Sequence, residues 1–180
     1  MKNRYESFCV GAYSFIATLI GCTLCVFAVF LLGIRIAQVD GNSMYPGLLS
    51  GEKVIVSGVF YEPDYGDIVA IGRADSENGS LIKRIVGLPG DEINIDFNSH
   101  IVTVNGYIVP ENYEVNAALS EEGDLTYPVR VPENCVFVLG DNRDDSLDSR
   151  FSEIGFIQLD EIVGKAVCRI YPFGNFSIYK

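Results

Sequence analysis

The sequence has one histidine, no tryptophan, and 13 Lys and Arg against 24 Asp and Glu. Each scarcity excludes a class of protein. A net charge of −11 leaves no basic surface for neutralising phosphates, so no nucleic acid is expected as a partner of this chain. With His100 as the single imidazole, a zinc centre built on several histidines is excluded, and a Ser–His–Asp triad would have to use that residue. No metal and no cofactor is expected. Five cysteines, scattered along 180 residues, are too few for a disulfide scaffold. Disorder is excluded as well, because hydrophobic residues make up 48% of the chain and charged ones only 21%.

Charge is also missing locally. From Ser7 to Ile34 there is no Asp, Glu, Lys or Arg, and the centre of this run reads FIATLIGCTLCVFAVFLLGI. A bilayer core about 30 Å thick needs about 20 helical residues, and a secretory apolar region is shorter, about 7–15 residues. The run is read as an uncleaved transmembrane signal anchor rather than a core helix, because a globular helix has one polar face. Lys2 and Arg4 precede it and Arg35 alone lies close behind it, a bias that favours a cytoplasmic N-terminus in the cell membrane. The chain then divides into an anchor over 1–35 and an extracytoplasmic domain over 36–180. That remainder holds 10 Lys and Arg against 23 Asp and Glu.

Beyond the anchor no helical period recurs. Short apolar runs between turn residues predict strands near 53–57, 67–71, 81–88, 92–95, 101–104, 107–109, 135–139, 162–170 and 177–179. The fold class is therefore mainly β, a folded-over sheet or partly open barrel behind one N-terminal transmembrane helix. Residues 111–130 are acidic at their start and lack a period, and read as a surface insertion. Cys135 and Cys168 fall in apolar runs; a disulfide between them is possible outside the cytoplasm, but they read as buried free thiols.

Three segments carry candidate chemistry. Ser43 lies in DGNSMYP, nine residues beyond Ile34, so chemistry there would occur near the bilayer surface. Serine among Gly, Asn and Pro is by itself an ordinary turn residue. Lys83 and Arg84 interrupt an otherwise buried strand, LIKRIV. Burial lowers a lysine's pKa and leaves an amine able to take a proton, whereas arginine stays charged. Lys53, Lys165, Lys180 and His100 are the other soluble candidates for a base. The third segment, GDNRDDSLDSR from Gly140, is acid-rich. It fails the calcium-loop pattern, because Ser149 and Gly155 stand where Gly and Glu are needed. Its two arginines point instead to an ion-paired loop.

Together the segments resemble the type I signal peptidase family, in its short, single-span bacterial form. The matching blocks are SMYPGLLSGEKVIV, GDIVAI, KRIVGLPGDEI and GDNRDDSLDSRFSEIGFI, in the family's order and over about a third of the chain. The resemblance implies Ser43 as nucleophile and Lys83 as general base, with Ser146 orienting the lysine and Asp148 and Arg150 supporting the site. It implies an oxyanion hole resting on the Ser43 backbone N–H, since Gly41 stands where some relatives carry a serine. Gly47 replaces the usual threonine, with little effect expected. Met44 and Tyr45 are expected to touch substrate or membrane, with Leu48 near them.

The function so implied is that of a membrane-bound serine endopeptidase that cleaves signal peptides from exported preproteins. Its expected partners are those signal peptides, the lipid bilayer and the secretion translocon. Small side chains, typically alanine, are implied at the first and third positions before the cut. The alternative is a signal-peptidase-like chaperone for pilus assembly, in which the catalytic serine or lysine is lost. A self-cleaving repressor would need a DNA-binding motif where the apolar run stands.

Overall fold

The computed structural model describes residues 2–31, 33–72, 80–110, 113, 115–119, 121–174 and 177–179. The chain divides into two compact units, Met1–Ile34 and Arg35–Lys180. The first is one helix, α1 (Lys2–Leu31), whose segment Phe8–Ala28 is long and apolar enough to cross a membrane. At ~1.5 Å per residue those 21 residues extend about 32 Å. Phe15, Leu19, Leu24 and Phe27 are exposed on it, which suits an apolar surrounding. Thr18 and Thr23 donate their hydroxyls back to Ser14 and Leu19 carbonyls, both at 2.9 Å, so neither hydroxyl is left unsatisfied on that surface.

The second unit is built from strands. In chain order they are β1 (Ile34–Gln38), β2 (Lys53–Ser57), β3 (Ile68–Gly72), β4 (Ser80–Gly87), β5 (Glu92–Asp96), β6 (Ile101–Val104), β7 (Tyr107–Ile108), β8 (Val129–Arg130), β9 (Cys135–Leu139), β10 (Ile157–Gln158), β11 (Ile162–Tyr171) and β12 (Ser177–Ile178). The larger sheet runs β1-β2-β11-β3-β4-β9-β10, with β12 also paired to β11, and the smaller one runs β7-β6-β5-β8. Among the described residues beyond α1, the one helical turn is a 3-10 turn at Leu159–Glu161. The mainly β fold expected from the turn spacing is thus the one observed.

Strand β4 is central to the larger sheet. It pairs antiparallel with β3, Val69 opposite Lys83, and with β9, Leu139 opposite Arg84. From Ile82 to Gly87 every residue of β4 is buried, so its two cations enter the interior with it. On the smaller sheet, Val102, Ile93 and Ile95 pack with Val86, Phe137 and Leu139 of β4 and β9, and this contact holds the sheets together.

Two expectations need correction. Residues 111–130 are not merely a surface insertion. Leu119 is 2% exposed inside the core between the sheets, Val129–Arg130 pairs with β5, and Asn116 bridges to Asn142. The period is missing because single residues, rather than a face, make these contacts. Positions 111, 112, 114 and 120 of that segment lie outside the described residues. The apolar run also concealed a strand, because β1 begins at Ile34, where the uncharged stretch ends. Cys135 and Cys168 are free thiols.

Candidate active site

Ser43 stands in a turn between β1 and β2 that is nailed down on both sides. Val39, Met44 and Leu48 are 2%, 1% and 0% exposed and pack with Val54, Val56 and Ile68. Within the turn, Tyr45 N–H donates to the Asn42 carbonyl at 3.0 Å and Leu48 N–H to the Met44 carbonyl at 2.7 Å. Gly41 enters it with φ 79°, a left-handed conformation that glycine adopts without strain. Met44 and Leu48 are therefore core anchors of the turn, not surface contacts. The one-in-four spacing that buries them turns Tyr45 and Leu49 outward, at 50% and 46% exposure.

Lys83 is 3% exposed, and its Nζ donates to Ser43 Oγ at 2.7 Å. The structure brings together these two side chains, 40 residues apart in the chain. Burial lowers the lysine pKa to about 8. The carboxylate of Asp148 works against that, the Arg150 guanidinium adds to it by repulsion, and Asp141 and Asp145 oppose it. Arg84, the adjacent cation, is turned elsewhere. Its Nε and Nη2 grip both oxygens of Asp141 at 2.7 Å, its Nη1 donates to the Gly66 carbonyl at 2.7 Å, and its guanidinium lies 3.8 Å over the Tyr113 ring. Alternation along β4 separates the two cations in this way.

The loop after β9 closes the site. Asp148 and Arg150 are fully buried and joined by two contacts, 2.8 Å from Nε and 3.0 Å from Nη2. Asp148 Oδ2 also accepts from the Gly140 N–H at 3.0 Å, and Arg150 donates to the Ser146 and Glu121 carbonyls at 3.1 and 3.0 Å. With the Arg150 backbone N–H on Oδ1 at 3.3 Å, each oxygen of Asp148 accepts twice and four of the five guanidinium protons have acceptors, the kind of pairing under which such buried pairs are tolerated. Ser146 is buried, but its Oγ has no hydrogen-bond partner among the described residues, so the expected bond to the lysine is not made. Gly140 lies where a Cβ would overlap both Ser146 Oγ and the Ser43 carbonyl, so only glycine lets the two loops meet here. At Gly47, a Cβ would overlap an oxygen of Asp141, so the departure from threonine is accommodated around the Arg84–Asp141 pair rather than being without consequence.

Sequence reasoning missed Arg84, Asp141, Asn142 and Asn116 as parts of the site. Asn142 donates its N–H to the Ser43 carbonyl at 3.0 Å and its Nδ2 to the Asn42 carbonyl at 3.2 Å. The Ser43 N–H itself has no acceptor among the described residues. His100 is not near this chemistry. Its Nδ1 accepts from the Leu119 N–H at 3.0 Å. Beside Ser43 and Lys83 lies a cleft of about 40 Å³ lined by Gln38, Val39, Asp40, Ser80 and Ile82. A larger groove of about 1120 Å³ includes Tyr65, Arg84, Tyr107 and Tyr179 in its walls but neither Ser43 nor Lys83. Chemistry, not size, identifies the first as the candidate site. No cluster of metal-ligating side chains occurs among the described residues.

A partly buried hydroxyl, 2.7 Å from a buried amine whose pKa has fallen toward neutrality, is the arrangement of a serine hydrolase with a lysine base. The comparison with known proteins agrees. The family described as signal peptidase, peptidase S26, matches residues 12–171. A signal peptidase I from Bacillus caldolyticus is 37% identical over 77% of this chain and 80% of its own length. Signal peptidase I S of Bacillus subtilis (strain 168) is 38% identical over 76% of this chain and 77% of its own. A probable signal peptidase I-2 from Synechocystis is 33% identical over 85% and 72%. The chain belongs to the signal peptidase family, peptidase S26. It is a membrane-anchored serine endopeptidase of the signal peptidase I type.

Proposed function

We propose that this chain removes signal peptides from exported preproteins, with Ser43 as nucleophile and Lys83 as general base. The observation that carries the assignment is the 2.7 Å contact between Ser43 Oγ and the buried Lys83 Nζ. When Nζ is neutral, its lone pair accepts the Ser43 proton across the same short distance while Oγ bonds to the scissile carbonyl carbon. The oxyanion that forms is met by the Ser43 N–H, which no protein group occupies among the described residues. The C–N bond then breaks, and protonated Lys83 returns the proton to the departing amine. A water, deprotonated in turn by Lys83, hydrolyses the acyl ester.

The substrate is an extended segment. Main-chain pairing along the cleft between 38–40 and 80–82 is a natural way to hold it. The cleft's volume of about 40 Å³ supports a preference for small side chains such as alanine before the cut. Ser146, Asp148 and Arg150 brace the loop against Lys83. The N-terminus lies in the cytoplasm and Arg35–Lys180 outside it. Tyr45 and Leu49 touch lipid, and the secretion translocon delivers the preproteins. The pilus-chaperone reading needs the serine or the lysine to be missing, and both are present.

The test is to incubate the purified chain in detergent with a preprotein and to sequence the new N-terminus. Ser43→Ala, Lys83→Ala and Lys83→Arg should each abolish cleavage, the last because guanidinium keeps its proton. Substantial activity in Lys83→Arg would remove lysine as the base.

A further inference from the structure

Three asparagines and the nucleophile form an unbroken line of amide groups. Asn116 Nδ2 donates to Asn142 Oδ1 at 2.8 Å, which leaves Asn142 Nδ2 aimed at the Asn42 carbonyl, 3.2 Å away. That carbonyl belongs to the peptide plane whose other end is the Ser43 N–H. Asn142 also donates its own N–H to the Ser43 carbonyl at 3.0 Å, so it grips the peptide planes on both sides of the nucleophile.

We propose that Asn142, held by Asn116, is a positioning residue for the oxyanion donor: the Asn116–Asn142–Asn42 line fixes and polarises the peptide unit that presents the Ser43 N–H. This rests on the reading of Ser43 as nucleophile and of its N–H as oxyanion donor. Two physical effects act together. A trans peptide is planar, so fixing the Asn42 carbonyl fixes the direction of the Ser43 N–H across the same C–N bond. A carbonyl that accepts hydrogen bonds also makes the N–H of its own amide a stronger donor, and chained amides reinforce one another. The Asn42 carbonyl accepts twice, from Asn142 and from Tyr45 N–H. A preset donor costs no reorganisation as charge develops on the substrate oxygen.

The rest of the segment is fastened so that Asn116 can serve this purpose. Asn116 N–H donates to the Asp141 carbonyl at 2.9 Å, and its carbonyl accepts from Arg143 N–H at 3.0 Å. Three residues on, Leu119 is buried and its N–H is bonded to His100. The Asn116 side chain itself is exposed. Truncating it removes one hydrogen bond and leaves the backbone bridge in place, so stability is barely touched.

The experiment measures kcat, KM and melting temperature for preprotein cleavage by the full chain in detergent, in Asn116→Ala, Asn142→Ala and the double variant. Complete loss of an oxyanion donor costs about 10²–10³ in kcat. Misorienting it should cost less, roughly 10- to 100-fold in Asn142→Ala and roughly 3- to 10-fold in Asn116→Ala. KM should be unchanged in both, and the pH at which activity rises should stay where it is, because Lys83 is untouched. The double variant should be no worse than Asn142→Ala, because Asn116 acts only through Asn142. Wild-type kcat in Asn116→Ala at an unchanged melting temperature would overturn the proposal, as would losses that multiply in the double variant. If Asn142→Ala fails to fold, Asn116→Ala decides alone. Activity in Ser43→Ala would instead refute the underlying assignment of the nucleophile.

Discussion

The lowered pKa of Lys83 makes the pH dependence of both activity and stability a direct test of the mechanism. A lysine in water titrates near 10.5, whereas burial brings Lys83 to about 8. At pH 7 that raises the neutral fraction from roughly one in three thousand to about one in ten. The shift corresponds to about 3 kcal/mol favouring the neutral amine. Because the folded pKa lies below the unfolded one, the unfolded chain binds more protons between about pH 8 and 10.5, and stability should rise with pH across that window. Below about pH 8 both states carry the proton and the full penalty of the buried charge is felt. Cleavage, followed as kcat/KM on a preprotein from pH 6 to 10, should climb with unit slope below a midpoint near 8 and then level off. Lys83→Met, which fills the same space without a charge, should abolish cleavage. Its melting temperature relative to wild type should lie highest below pH 8 and lose that advantage by pH 10.5. His100→Gln should leave the midpoint in place, since His100 bonds to Leu119 and not to the reacting groups. A flat profile between pH 7 and 9, a midpoint above 10, or a climb that disappears in His100→Gln would each refute the reasoning.

Asp148→Ala should strand the fully buried Arg150 charge and destabilise the protein by about 3–5 kcal/mol, on the order of 10 °C in melting temperature; a change of a degree or two would show the pair to be dispensable. Ser146→Ala removes a buried hydroxyl that has no partner, so its melting temperature should hold or rise, while a fall in kcat would place Ser146 in the catalytic cycle and full activity would remove it. Gly140→Ala forces a Cβ into Ser146 and the Ser43 carbonyl, and should lower activity more than Gly106→Ala, whose site at a distant turn has nothing within 4 Å; equal effects would deny the close approach. Tyr45→Ser with Leu49→Ser should lower cleavage in phospholipid vesicles more than in detergent, and equal loss in both would count against lipid contact at these side chains.

How much of this was legible in the sequence depended on whether the signal was local. Strands such as β4, β9 and β11 announce themselves by apolar runs between turn residues, and Lys83 stands out because a cation in such a run is costly. The pairing of Ser43 with Lys83 rested on family resemblance, since nothing in either segment says that they meet. Short strands β8 and β10, two residues each, carry no period at all. The role of Arg84 was hidden because its partner, Asp141, is 57 residues away in an acid-rich loop where any of several carboxylates would have served. Asn116 was hidden for a different reason. It lies in an aperiodic segment whose placement is set by one buried leucine and a few backbone hydrogen bonds. Met44 and Leu48 misled because apolar residues beside a candidate nucleophile near a membrane suggest lipid, whereas the turn that carries Ser43 is itself anchored, and these are its anchors.

The acid-rich loop, read from the sequence as ion-paired, bears on whether Lys83 can serve as the proposed base. Buried carboxylates next to a lysine would raise its pKa and keep it protonated. Here the two buried acids in the loop are already bound. Arg84 takes both oxygens of Asp141, and Arg150 takes both oxygens of Asp148. Arginine suits that task because it cannot give up its proton and its planar fork matches a carboxylate. Among the described residues Lys83 is left with no carboxylate at ion-pair distance, and its side-chain hydrogen bond goes to the Ser43 hydroxyl, the proposed nucleophile. Substituting Arg84 or Arg150 would therefore do more than loosen the loop. It would free a buried carboxylate to pull the lysine's pKa back up, moving the midpoint of activity toward alkaline pH even in a variant that still folds. Adjacent cations at 83 and 84 thus have opposite duties. One must stay able to lose its proton, and the other keeps a competing acid away from it.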